Sequence, residues 1–183
     1  SNNSKQLNIA LNRGAARTLG KNWGTMITWK YDGPPFLGDG AELYNDMVLA
    51  YQNGAKYIVV FNSPANFSAV SEYGAFAREH FEAMNRFWDY TKNHPHPERL
   101  PTETAYVLPR DYGYGFRGSS DKIWGLWEAD AMSSRVWNDT TVMLTKYGMG
   151  LDIVYETSIN NASVKLPYSK LIFWNGTTIE KPR

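Results

Sequence analysis

The 183 residues of this chain include no cysteine. That absence removes disulfides, thiolate metal sites and every mechanism built on a cysteine nucleophile. Histidine is scarce, at three residues. His94 and His96 flank Pro95 in a proline-rich stretch. Two imidazoles there, with no carboxylate partner, make a poor metal site, and no metal is expected. His80 falls on an apolar helical stripe and reads as a satisfied core histidine rather than a base. Neither sign of charge is in surplus, since 19 Lys and Arg face 18 Asp and Glu. With no basic run, no nucleic-acid partner is expected. No apolar stretch approaches membrane-spanning length and no signal peptide is visible. A soluble chain without a membrane partner is therefore expected, its compartment unassigned. Ser-His-Asp arrangements, Walker loops and nucleophile elbows are missing, and no cofactor is expected.

Aromatic residues, by contrast, are plentiful. They make up 15% of the chain, with seven Trp and twelve Tyr. Two explanations stand side by side: core packing, or a sugar-binding surface in which ring faces stack on the apolar faces of pyranoses. The length fits one large domain or one and a half small ones, enough to bury a core. The opening Ser1-Asn-Asn-Ser4, without a methionine, fits a trimmed chain, a cleavage product or a fragment.

Periodicity then organises the chain. Residues 4–19 predict a helix with Leu7, Ala10, Leu11, Ala15 and Leu19 on its apolar side, ended by Gly20. A buried strand follows over 24–29, then a Gly- and Pro-rich loop over 30–40 that is too irregular for a mere connector. Asp39 is placed to cap a helix over 41–53 whose inward stripe is Leu43, Met47, Val48 and Tyr51. Gly54 ends it, and 56–61 reads as a strand covered on both faces. A helix over 74–92 carries a heavy aromatic stripe, with Phe76, His80, Phe81, Met84, Phe87, Trp88 and Thr91 expected to face a core. The segment 93–101 holds three prolines in nine residues and cannot continue a helix. Beyond it lie strands at 104–109, 151–155 and 170–174, with a helix over 131–147 capped by Gly148. Two helix–glycine–strand passages in the first third are the mark of βα units with parallel strands.

In parallel α/β sheets, ligands gather at the carboxyl ends of the strands. Trp29, Tyr31 and Asp32 follow the first strand and Asn62 the second, so these are candidate mouth residues. Asp32 beside Gly33 reads equally well as a turn residue. The segment 111–130 is the most distinctive. Gly113, Gly115 and Gly118 match the spacing of the dinucleotide fingerprint, but bulky residues fill its variable positions and no helix follows directly. The other reading is an ordered loop that seals an interface with its aromatics. Within it Asp111, Tyr114, Arg117, Trp124 and Trp127 are candidate ligand contacts. Glycoside hydrolysis needs two carboxylates flanking the bond. Asp32 alone stands at a strand end, so catalytic residues are left unassigned.

The stretches Ala15-Ala-Arg-Thr-Leu-Gly-Lys-Asn-Trp-Gly-Thr-Met-Ile-Thr-Trp29, Glu42-Leu-Tyr44 and Tyr51-Gln-Asn-Gly-Ala-Lys-Tyr-Ile-Val-Val-Phe61 resemble the closing βα units of a (β/α)₈ glycoside hydrolase. From Ala105 onward the chain resembles the start of the glutamine-amidotransferase-like α/β domain that follows the barrel in family 42-type β-galactosidases. The resemblance implies α/β architecture: closing units of a TIM-type barrel over 1–92, a Pro-rich linker over 93–103, and a three-stranded Rossmann- or flavodoxin-like layer over 104–183. A barrel needs about 250 residues, so 1–92 would supply its last two strands and three helices. The missing barrel half, or a second copy of the chain, would then be a partner. Where barrel glycosidases of this clan carry a catalytic Glu, this chain has Trp29-Lys30-Tyr31. Amidotransferase chemistry is excluded for want of a cysteine. The implied function is that of the C-terminal portion of a glycoside-hydrolase-like protein acting on carbohydrate. Trp29, Tyr31, Asp32 and Asn62 would line the mouth, with 111–127 folding over it. Trp124 and Trp127 would stack on sugar and Arg117 or Asp111 would bond hydroxyls. The alternative is a non-catalytic α/β interaction or oligomerisation module.

Overall fold

The computed structural model describes residues 2–28, 30–31, 36–62, 73–96, 102–110, 112, 128–160 and 166–181. It is a mixed α/β protein that divides into two compact units: Trp23–Arg99, and Ser1–Asn22 together with Leu100–Arg183. The sequence grouped residues 1–92 as one run of βα units; the first helix instead belongs with the later segment. Among the described residues the strands form two open sheets, not a closed barrel.

The unit over 23–99 is built on a two-stranded parallel pair, β1 (Gly24–Ile27) and β2 (Tyr57–Val60), joined through α2 (Gly40–Gln52) and followed by α3 (Arg78–Asn93). The first helix of the chain is α1 (Asn2–Leu19). Asp39 caps α2 as its sequence position suggested, accepting the Glu42 N–H at 2.7 Å. The far end closes through Gly54, whose φ of 93° no β-carbon would tolerate cheaply. There Ala55 N–H reaches the Ala50 carbonyl and Gly54 N–H reaches Tyr51, the paired bonds of a Schellman stop. Alternation along the strands sends Ile27, Ile58 and Val60 onto Leu43, Met47 and Ala83 of the two helices. The opposite face keeps Met26, Tyr57 and Val59 exposed, so β2 is half-buried rather than covered on both sides.

The other unit holds a four-stranded sheet in the order β4-β3-β5-β6. Its strands are β3 (Thr104–Leu108), β4 (Leu151–Tyr155), β5 (Lys170–Phe173) and β6 (Thr178–Glu180). Central β3 runs parallel to β4 and β5, while β6 returns antiparallel to β5. Helix α4 (Ser133–Tyr147) and a 3₁₀ turn (Gly148–Gly150) connect β3 to β4, and short α5 (Glu156–Ile159) follows β4. All five residues of β3 are buried. Tyr106 and Leu108 pack with Leu7 and Ala10 of α1 and with Val136 and Leu144 of α4. Ala105 and Val107 face the other way, onto Val154, Tyr168 and Leu171. Neither α5 nor β6 was legible in the sequence, for both are short and carry little apolar pattern.

Helix α1 covers the edge strand β4. Arg13 reaches Asp152 at 2.6 Å through Nε and donates through Nη2 to the carbonyls of Met149 and Leu151. Asp152, fully buried, also receives Arg17 at 2.9 Å and the Tyr168 hydroxyl at 2.6 Å. A β-carbon on Gly14 would overlap the Ile153 carbonyl oxygen, so the helix backbone lies directly on the strand. An unpaired strand edge is thereby protected by a helix and by arginine donors.

Candidate functional site

Beyond the carboxyl ends of β1 and β2 lie the described residues of the 23–99 unit that the sequence nominated, Tyr31 and Asn62. Beyond β1 the backbone N–H groups of Lys30 and Tyr31 both donate to the Phe36 carbonyl, at 2.6 and 2.8 Å. Phe36 has a φ of 46°, an unfavourable conformation for a bulky residue, while its ring is buried. Ring burial and the double bond to its carbonyl hold that backbone in place, and through it Phe36 positions Tyr31. Tyr31 is 47% exposed. Lys30 Nζ lies 5.6 Å from the centre of the Tyr31 ring and 3.0 Å from a Glu42 carboxylate oxygen. The hydrogen bond and charge of Glu42 hold the Lys30 ammonium above its ordinary value.

Beyond β2, Asn62 sits beside exposed Phe61. Its carbonyl oxygen accepts the Ala75 N–H at 2.6 Å and its amide donates to the Tyr73 carbonyl at 3.1 Å. Asn62 is therefore a positioning residue for the 73–75 turn. Gly74 turns there with a φ of 67°, and a β-carbon would run into the Asn62 amide. Tyr73 in this turn is 56% exposed, and its ring stands edge-on to Phe81 at 5.8 Å.

A layer of bonds beneath these rings locks the segment 38–40 to α3. His80 is fully buried. Its Nδ1 accepts the Ala77 N–H at 2.8 Å, so the proton resides on Nε2, which donates to the Gly38 carbonyl at 2.8 Å. Glu79 accepts the Gly40 N–H at 2.8 Å. Both His80 and Glu79 thus serve the fold, as does Glu42 through Lys30. Among the described residues no three His, Asp or Glu side chains converge as a metal site.

Of the residues nominated from sequence, Tyr31 and Asn62 fall in this edge, one as an exposed ring and one as a turn anchor. Trp29, Asp32, Asp111, Tyr114, Arg117, Trp124 and Trp127 lie outside the described residues, as do Gly113, Gly115 and Gly118. Tyr112, between them, donates to Asp130 at 3.1 Å and lies 3.2 Å from the Ser133 hydroxyl, tying the end of β3 to the start of α4. Burial pushes its phenol above the ordinary value. Sequence reasoning missed Phe36, Phe61 and Tyr73, and it set Phe81 and Trp88 on a core-facing stripe where α3 instead buries His80 and Ala83 and leaves both of those residues exposed. A large apolar ring stranded in a Gly/Pro loop was the available signal for Phe36; for Tyr73 it was the neighbouring Gly74.

Among the described residues no helix is long and apolar enough to cross a membrane. Comparison with protein-family models, with curated proteins and with solved structures finds no match for the chain.

Proposed function

We propose that this chain acts on carbohydrate, with its sugar-binding edge at the carboxyl ends of β1 and β2. The observation that carries the reading is the exposure of Tyr31, Phe61 and Tyr73 near the strand ends, with the Lys30–Glu42 pair beside Tyr31. Exposed aromatic faces next to fixed charged donors and acceptors suit pyranoses, which offer an apolar face and a rim of hydroxyls. The βα order, the parallel pairing of β1 with β2 and the helices on one face of that pair also support closing units of a glycoside-hydrolase-like (β/α)₈ barrel. The parallel β3–α4–β4 unit supports a Rossmann- or amidotransferase-like layer after it. The reading assigns no catalytic carboxylate, because Glu42 and Glu79 are committed to Lys30 and the Gly40 N–H. Titration with a panel of mono- and disaccharides, followed by tryptophan and tyrosine fluorescence, tests it. Binding that weakens about tenfold in Tyr31→Ala supports the edge; a panel without any binder refutes it.

One feature favours the alternative of a non-catalytic interaction module. Met26 and Val59 stand opposite each other on the uncovered face of the pair, with Tyr57 beside them, all exposed. Under that reading the chain self-associates in sedimentation, and Val59→Asp abolishes the association.

A further inference from the structure

The sequence holds two Asn-Gly pairs, Asn53-Gly54 and Asn175-Gly176. Such pairs share an intrinsic chemistry, because glycine has no β-carbon to keep its nitrogen from the preceding side-chain amide. The fold treats the two pairs differently. Asn53 ends α2 half-buried, and its Nδ2 donates back to the Leu49 carbonyl at 2.8 Å. That bond turns the side chain along the helix and away from Gly54. The Gly54 N–H is held by the Tyr51 carbonyl at 3.0 Å, and the next two N–H groups, of Ala55 and Lys56, are bonded to Ala50 and Trp23. Freeing the Gly54 nitrogen would undo the helix stop and the entry to β2 together.

Asn175 lies exposed at the tip of the β5–β6 hairpin, and its Oδ1 accepts the Thr177 N–H at 2.9 Å. The ring closed by that bond contains the Gly176 nitrogen, so Asn175 Cγ is folded onto the peptide that can attack it. The same bond draws electrons from the Cγ carbonyl and makes it a better electrophile. The Gly176 N–H is bonded to the Phe173 carbonyl at 2.9 Å, in a turn that leads into a three-residue, exposed edge strand. Opening that tip is a local event. A cation stands beside it: Arg135 Nη2 lies 3.4 Å from where a β-carbon on Gly176 would be, while Arg135 Nε lies 3.6 Å from Asp139. A guanidinium there favours both a deprotonated Gly176 nitrogen and an oxyanion forming on Asn175 Oδ1.

We propose that Asn175 is a self-modifying site, where the folded chain converts its own side-chain amide to a carboxylate while sparing Asn53. The Gly176 nitrogen loses its proton to hydroxide and attacks Asn175 Cγ. The new C–N bond forms, the Cγ–Nδ2 bond breaks, and Nδ2 takes a proton from water and leaves as ammonia. Water then opens the cyclic imide at either carbonyl, giving aspartate or its isomer with the backbone running through Cγ. The reaction consumes water alone. Its product is a negative charge at the hairpin tip, beside Arg135 and in competition with Asp139 for it.

The test incubates the whole chain at mildly alkaline pH, folded in buffer and unfolded in guanidinium chloride. Peptides are then mapped by mass spectrometry against an unincubated control, and chromatography separates aspartate from its isomer. In the folded chain position 175 should convert and position 53 should remain an amide; in the unfolded chain both should convert. Arg135→Gln changes a largely exposed side chain, so the fold should persist. It should slow position 175 about tenfold in the folded chain, less than the loss of a buried oxyanion donor, and leave the unfolded rate unchanged. A folded chain that keeps Asn175 while the unfolded chain converts it overturns the proposal. Conversion of both positions at one rate in the folded chain overturns it equally. A folded rate indifferent to Arg135→Gln overturns the part given to that guanidinium.

Discussion

Asp152 is a carboxylate with no access to water, held by two guanidinium groups and a phenol. Removing one member of such a cluster strands the others, so Asp152→Ala, leaving Arg13 buried and uncompensated, should cost about 3–5 kcal/mol. Urea unfolding followed by circular dichroism measures it. Tyrosines report on the same unit at high pH. Burial, more than the nearby Asp139, pushes the Tyr106 phenol well above its ordinary 10.0, and burial does the same to Tyr168 ahead of Asp152. The unfolded chain then gives up these protons before the folded one. Stability is complete below about pH 10 and falls as pH rises beyond it. Tyr106→Phe should make that fall shallower in pH-dependent unfolding; an unchanged slope would show that Tyr106 does not set it. None of this was legible in the sequence. Arg13 and Asp152 lie 139 positions apart, and neither local pattern nor spacing links them.

The elements tell a more readable story where local chemistry decides. Gly20 and Gly54 were identified as helix stops, and both hold positive φ in the paired hydrogen bonds of a Schellman ending. The Asp39 cap was likewise visible, because a side-chain acceptor ahead of an apolar period has few other uses. The partner of α1 was not visible, since amphipathic periodicity says that a helix packs but not against what. Gly14 is the sensitive point of that packing. Replacing it with Ala gains about 1 kcal/mol of helix propensity. Its β-carbon, however, meets the rigid backbone of β4, where overpacking costs about 1–3 kcal/mol. Gly14→Ala should therefore lower the melting temperature by scanning calorimetry, whereas the propensity gain alone would raise it. Gly74→Ala should displace Tyr73 and weaken sugar binding, at a stability cost of about 1–2 kcal/mol for its positive φ. Equal binding in that variant would detach the Asn62 turn from the site.

At the scale of the molecule, residues 1–22 and 100–183 build one unit around a sheet whose edge α1 protects, and residues 23–99 build the other. A chain starting at Trp23 should lose amide-exchange protection across β3 and β4 while α2 and α3 keep theirs. Parallel pairing of β1 with β2 was legible from two helix–glycine–strand passages. Among the exposed rings near the strand ends Tyr31 was legible and Tyr73 was not, because Asn62 places Tyr73 through backbone bonds that composition does not reveal. The central claim is that these rings bind sugar. NMR titration of the isotope-labelled chain with two-unit β-1,4-linked sugars tests it most directly. The account predicts shifts concentrated at Tyr31, Phe61, Asn62 and Tyr73 that saturate with a single affinity. Silence at those residues for every sugar, or shifts confined to the sheet of β3 to β6, would contradict it.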